Sequence, residues 1–199
     1  MPSRLTGDVK PDGVIPFKTT KQQAQDAGIE LYSVASGLYW SYWLNSQDAA
    51  ERQKAMDIVK KQLETASVLG CQSILVIPGC VNADFAAAGK IMDYERCYNR
   101  SLESVNKVKE YAAQYKVEIG LENVWNGFFL SPYDMVGFID ELGSDMFGAY
   151  FDLGNMVAFS DTVHWADIVG AKTFKIHVKD YKRDSGVNRG GKFVQLLEG

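Results

Sequence analysis

Five apolar runs of strand length recur along the chain, and between each consecutive pair lies one stretch of helical periodicity. The runs are GIELYSVAS (28–36), CQSILVIPG (71–79), VEIGLENV (117–124), FGAYFDLGN (147–155) and TFKIHVKDY (173–181). Helices are expected from about Ser46 to Leu69, about Asp93 to Tyr115, over SPYDMVGFIDELG, and over TVHWADIVG. In the first, Met56, Val59, Leu63 and Ala66 form an apolar stripe that Gly70 can end; in the third, Ser131 can cap and Pro132 suits the first helical position. Strands separated by single helices imply a parallel sheet with helices outside it. Residues 1–27 read as loop plus one short helix, TTKQQAQDAG, and the tail after Tyr181 reads as loop. Such a chain is one α/β domain, either a doubly wound sheet or a (β/α)8 barrel. No GxGxxG follows any strand, which argues against the dinucleotide-binding version.

Composition closes off other classes. A net charge of −4 and the lack of any Lys/Arg run argue against a nucleic-acid surface. No run of ~18 apolar residues is present to span a membrane. The start, MPSRLTGDVKPDG, shows no apolar core of a signal peptide. Cys71, Cys80 and Cys97 are odd in number and lack CxxC spacing, so reduced thiols in a cytoplasm fit better than a disulfide frame.

Three consecutive strands end in chemistry: Glu122 closes the third, Asp152 the fourth, and His177 the fifth. Each shares parity with non-aliphatic neighbours (Glu118 and Gly120; Tyr150; Lys175 and Lys179), while Leu121, Phe151, Ile176 and Val178 take the other face. A buried carboxylate such as Glu122 needs a positive partner. Two carboxylates and an imidazole converging on one side suit one divalent ion, Mn²⁺, Co²⁺, Mg²⁺ or Zn²⁺. Taken singly, each has a plainer reading: a core histidine, a helix N-cap, a salt-bridge partner. It is their occurrence together that favours the metal. His164 lies away from any strand end and reads as surface or packing. Tyr39, Trp40 and Trp43 can either wall a sugar ring or pack on a helix.

The segments IGLENVWNGFFLSPYDMVGFIDELGS, GAYFDLGN and KIHVKDYKR resemble the sugar-phosphate isomerase/epimerase branch of the xylose isomerase-like TIM barrels. The resemblance runs from about Gly28 to Gly199 and includes hexulose-6-phosphate isomerase-like and ketopentose-5-phosphate 3-epimerase-like proteins. It implies that the five strands are strands three to seven of an incomplete barrel, with the first and last units missing. It implies one metal held by Glu122, Asp152 and His177, while the family's fourth ligand, a glutamate on strand eight, falls beyond Gly199; Glu198 is not its equivalent. By the same resemblance Arg183, six residues after the histidine, contacts substrate, with Lys179 beside it. Asn155 stands where some members carry a substrate-binding histidine, a departure that bears on which substrate is taken.

The implied activity is isomerisation or epimerisation of a ketose or ketose phosphate through a cis-enediolate. Glu122 serves as both ligand and proton-transfer group, and Trp40 as an apolar wall. An inosose dehydratase-like lyase would share the ligands, and a non-catalytic fragment would self-associate through open barrel edges, so a homo-oligomer is expected.

Overall fold

The computed structural model describes residues 17–84, 91–184 and 190–199. Among them, five parallel strands form one sheet in sequential order: β1 (Ser33–Val34), β2 (Ser73–Val76), β3 (Glu118–Glu122), β4 (Phe147–Asp152) and β5 (Thr173–His177). Helix α1 (Phe17–Asp26) precedes β1, and α2 (Ala49–Leu69) leads from β1 to β2. Helices α3 (Tyr94–Asn106) and α4 (Lys109–Tyr115) lead to β3, α5 (Pro132–Leu142) to β4, and α6 (Leu153–Val157) with α7 (Thr162–Val169) to β5. The sequential parallel order is that of an arc of an α/β barrel.

Local signals set the helix ends. Asp48 caps α2 by accepting from the Ala50 N–H, and Gly70 closes it at φ +83°. Ser131 and Asp134 form a reciprocal capping box on α5, with Pro132 in its first turn and Gly143 at φ +58° past its end. The stripe Met56, Val59, Leu63 and Ala66 packs into one core with Ile74, Val76, Ile119, Leu121, Phe138, Phe151 and Trp165.

Register fixes which side is which. Ile74, Ile119 and Phe147 lie side by side and are buried; the alternate row holds Gly120 with Gly148, Glu122 with Tyr150, and Asp152 with His177. Hydrophobic side chains therefore fill the helix-facing layer, and the polar ones share the inner face of the arc.

The second and fifth strands end early, at Val76 and His177, and the structure departs further from the expected boundaries in four places. The first strand shrinks from 28–36 to two residues, because Gly28 turns the chain at φ +66° and Ser36 already caps a 3₁₀ turn over Gly37–Trp40. The single helix expected over 93–115 divides into α3 and α4 where the Val108 N–H bonds the Val105 carbonyl, an i→i−3 link that tightens the turn. The fourth strand stops at Asp152, whose carboxylate caps α6. The tail is not a plain loop: β6 (Asp180–Arg183) and β7 (Gly191–Val194) pair antiparallel, with Tyr181 opposite Phe193. Gly191 is required in that pairing, since a Cβ there would lie 2.6 Å from the Tyr181 ring.

Candidate metal centre

Glu122, Asp152 and His177 meet at the C-terminal ends of adjacent strands β3, β4 and β5, with one ligand-type atom from each lying within 4.8 Å of the others. His177 Nδ1 is 2.7 Å from Glu122 Oε1 and 3.3 Å from Asp152 Oδ2. Glu122 is 5% exposed and Asp152 0%, whereas the His177 side chain keeps 43% of its surface. The centre is therefore a buried acidic floor with one open imidazole wall.

A register shift puts His177 in place. Ala149 pairs with Thr173, but Tyr150 pairs with Lys175, so Phe174 is an extra residue in β5. Without that bulge Asp152 would stand beside Ile176, and the imidazole would belong to the next rung. Gly148 makes room for it: a Cβ there would sit 2.7 Å from the Phe174 ring and 2.7 Å from the Lys172 carbonyl. Gly148→Ala is expected to cost about 1–3 kcal/mol by overpacking. Urea unfolding would show a lowered midpoint at unchanged slope, and an unaltered midpoint would refute this role for Gly148.

Asn123 extends the β3–β4 pairing one step past Glu122. Its amide accepts from the Asp152 N–H at 2.8 Å and donates to the Asp152 carbonyl at 2.9 Å, as a strand backbone would. Asn155 donates back to the Asn123 carbonyl at 2.8 Å. Asn126 holds the loop to the segment that follows β2 by donating to the Gly79 carbonyl. These amides lock the backbone on which both carboxylates sit.

The two oxygens of Asp152 divide the work. Oδ1 accepts from the Asn155 N–H at 2.8 Å and caps α6, so the plainer reading of this residue is also true. Oδ2 is buried, and its polar neighbours are the His177 imidazole at 3.3 Å and the Lys179 ammonium at 2.6 Å. Burial raises the Glu122 carboxyl above its ordinary value, and the Asp152 charge adds to this. The His177 hydrogen bond and the Lys179 charge pull the other way but do not cancel it. A buried carboxylate oxygen, a second desolvated carboxylate and an imidazole nitrogen make a donor set that fits a divalent ion.

Beside this centre lies a cavity of about 270 Å³ lined by Trp40, Asp84, Val124, Trp125, Asn155, Lys179 and Phe193. It brings together three of the four substrate-contact residues expected from the sequence. Arg183, the fourth, spends Nε and Nη2 on the carbonyls of Val157 and Ser160, fastening β6 to the turn after α6. Trp40 reaches the cavity, but its neighbours do not: Tyr39 is buried and donates to Gln62 Oε1 at 2.5 Å, and Trp43 packs with Cys80 and Ala83. His164 is exposed on α7. Four cavity residues lie outside the expected set: Asp84, Val124, Trp125 and Phe193. Trp125 donates its indole N–H to the Asn155 carbonyl at 2.7 Å and stacks near Phe193, ring centres 5.0 Å apart. Trp125 sat in view, three residues past Glu122; Phe193 becomes visible only once the tail is known to fold back as a hairpin.

The family model for the xylose isomerase-like TIM barrel matches residues 3–199. The chain belongs to that family. Solved structures agree on the fold. A xylose isomerase domain protein from Planctomyces limnophilus superposes with TM-score 0.68 at 18% identity, covering 92% of this chain and 67% of that one. An L-ribulose 3-epimerase gives 0.69 at 20%, covering 85% and 56%. A D-psicose 3-epimerase from Clostridium cellulolyticum, determined with D-tagatose, gives 0.69 at 19%, covering 88% and 62%. This xylose isomerase-like chain thus spans between 56% and 67% of the length of those three proteins. No curated protein matches it by sequence.

Proposed function

We propose that this member of the xylose isomerase-like family is a divalent-metal-dependent isomerase or epimerase of ketoses or ketose phosphates. The observation that carries the reading is the convergence of Glu122, Asp152 and His177 at three adjacent strand ends. These three would hold a Mn²⁺, Co²⁺, Mg²⁺ or Zn²⁺ ion, which when bound supplies a Lewis acid that favours negative charge on a carbonyl oxygen.

The chain's own groups do the rest. Glu122 removes a proton from the carbon beside the carbonyl, the C–H electron pair becomes a new C=C bond as the carbonyl π pair moves onto its oxygen, and a cis-enediolate results. Return of the proton by Glu122 to the neighbouring carbon, with the hydroxyl proton passing between the two enediolate oxygens, is isomerisation; epimerisation needs a second acid on the opposite face. Trp40, Trp125 and Phe193 offer flat faces to the C–H side of the sugar and keep water away, while Asn155 and Lys179 meet hydroxyls. Arg183 acts from behind, by holding the hairpin that carries Phe193.

Two further readings follow from the surface and the thiols. Strands β1 and β5 are the edges of the sheet, and Tyr32, Ile176 and Val178 beside them are more than half exposed, which favours a homo-oligomer. Cys71, Cys80 and Cys97 are buried and outside any disulfide, consistent with a reducing cytoplasm. Among the described residues no helix is long and apolar enough to cross a membrane.

The test is calorimetric titration of chelator-stripped protein with Mn²⁺, beside His177→Ala, followed by incubation with D-fructose, D-tagatose and D-allulose and their phosphates in D₂O. One ion per chain, lost in the variant, and deuterium entering the carbon next to the carbonyl are expected. Saturable metal binding with no exchange into any ketose would remove the isomerase reading; loss of mass as water would point to a lyase.

A further inference from the structure

Lys179 stands where an added cation would have to go. Its ammonium is 2.6 Å from Asp152 Oδ2, the one oxygen of that carboxylate left over once Oδ1 has capped α6. That same Oδ2 is the atom turned toward His177 at 3.3 Å. One lone-pair set therefore has two claimants, the chain's own ammonium and the ion that the centre fits. We propose that Lys179 is a tethered counter-ion that competes with the metal for Asp152 Oδ2, and that metal binding displaces its ammonium into the adjoining aromatic cavity. The inference rests on the metal reading above.

Three observations support it. First, the backbone of Lys179 is packed closely against α6. A Cβ on Gly154 would lie 2.6 Å from Lys179 Cβ and 2.8 Å from its carbonyl, so the β5–β6 connection is pressed against the first turn of α6. The flexible four-carbon stem is what moves most easily. Second, the ammonium has somewhere to go. Asn155 Oδ1 lies 3.4 Å away and the Phe193 ring centre 5.9 Å, and both residues line the cavity. The side chain is 33% exposed, so the move leaves the charge hydrated. Third, the exchange solves a problem of charge. Without an ion, Glu122 and Asp152 would face each other across a dry floor with one partly exposed imidazole between them; Lys179 offsets the charge of Asp152. With a doubly charged ion in place, an ammonium against the same oxygen is repelled.

The consequence is that metal occupancy sets the charge of the sugar cavity. An empty centre keeps the ammonium on Asp152; a filled one delivers it beside Asn155, where hydroxyl or other oxygen atoms of a substrate would meet it.

The test compares Mn²⁺ binding by calorimetry in wild type and Lys179→Met, a variant that keeps the stem and removes the charge. Removing the competitor should tighten Mn²⁺ binding roughly tenfold, the scale of one broken ion pair. It should also enlarge the rise in melting temperature that saturating Mn²⁺ produces. A measurement on the wild type alone guards against a variant that fails to fold: acetylation of Lys179, read by peptide mass spectrometry, should increase when Mn²⁺ saturates the protein. Equal or weaker Mn²⁺ binding by Lys179→Met, or Lys179 acetylation unmoved by Mn²⁺, would overturn the exchange while leaving the metal centre standing. Absence of saturable Mn²⁺ binding in both proteins would overturn the metal reading and this inference with it.

Discussion

Asp152→Asn is expected to abolish metal binding while the fold survives. Asparagine is as good an N-cap as aspartate, so the bond to the Asn155 N–H that starts α6 can persist. The backbone N–H and carbonyl of residue 152 remain held by the Asn123 amide, which does not depend on the side chain. What disappears is the negative charge on the buried oxygen shared by His177 and Lys179. Loss of an outer-shell partner already costs metal sites 10–100-fold, so loss of a charged ligand should cost at least about 100-fold in Mn²⁺ affinity. Calorimetry would read the affinity and circular dichroism the melting curve. A variant that still binds Mn²⁺ within tenfold of wild type would show that Asp152 serves only as a cap.

Much of this centre was legible in the chain because its physics is local. Strand–helix alternation, the cap at Ser131 and the stop at Gly143 depend on neighbours a few residues away, and they fell where periodicity placed them. Parity along each strand put Glu122 and Asp152 on the polar side correctly. Parity between strands is another matter. Whether Asp152 faces His177 or Ile176 depends on the bulge at Phe174, and that bulge is permitted by Gly148 on a different strand. No single run of sequence carries such a fact.

The missed features share this cause. The tail held Gly190, Gly191 and a scatter of charges, a loop by composition; its strands exist because Tyr181 and Phe193 pair across the hairpin and close against Trp125. Arg183 had the right spacing to be a substrate contact, yet its guanidinium lies against two carbonyls of the turn after α6. Spacing shows where a side chain starts, and the packing around it decides what it touches. The expected positive partner of Glu122 was a metal ion; within the chain itself Glu122 meets a hydrogen bond from His177 and the nearby charge of Lys179.

Glu122→Gln carries the largest expected effect on turnover, and its sign on stability is opposite. Glutamine keeps the shape and an oxygen for His177 but cannot accept a proton, so exchange of the carbon-bound hydrogen should fall by roughly 10²–10⁴-fold, the usual worth of a positioned general base. The same change should leave the metal-free protein as stable as wild type or more so. Burial raises the folded-state pKa of Glu122 above its unfolded value. The stability tied to its protonated form is therefore complete below the unfolded pKa and is lost as pH rises through the folded one. Ionising the wild-type carboxylate as pH rises therefore costs the folded protein stability, and glutamine imitates the protonated form that folding prefers. Melting curves in chelator from pH 4 to 8 would show wild type falling away from the variant as pH increases. A variant that lost both turnover and stability would mark Glu122 as a structural hydrogen-bond partner of His177, whereas lost turnover on an equal or firmer fold identifies a carboxylate kept at a cost for chemistry.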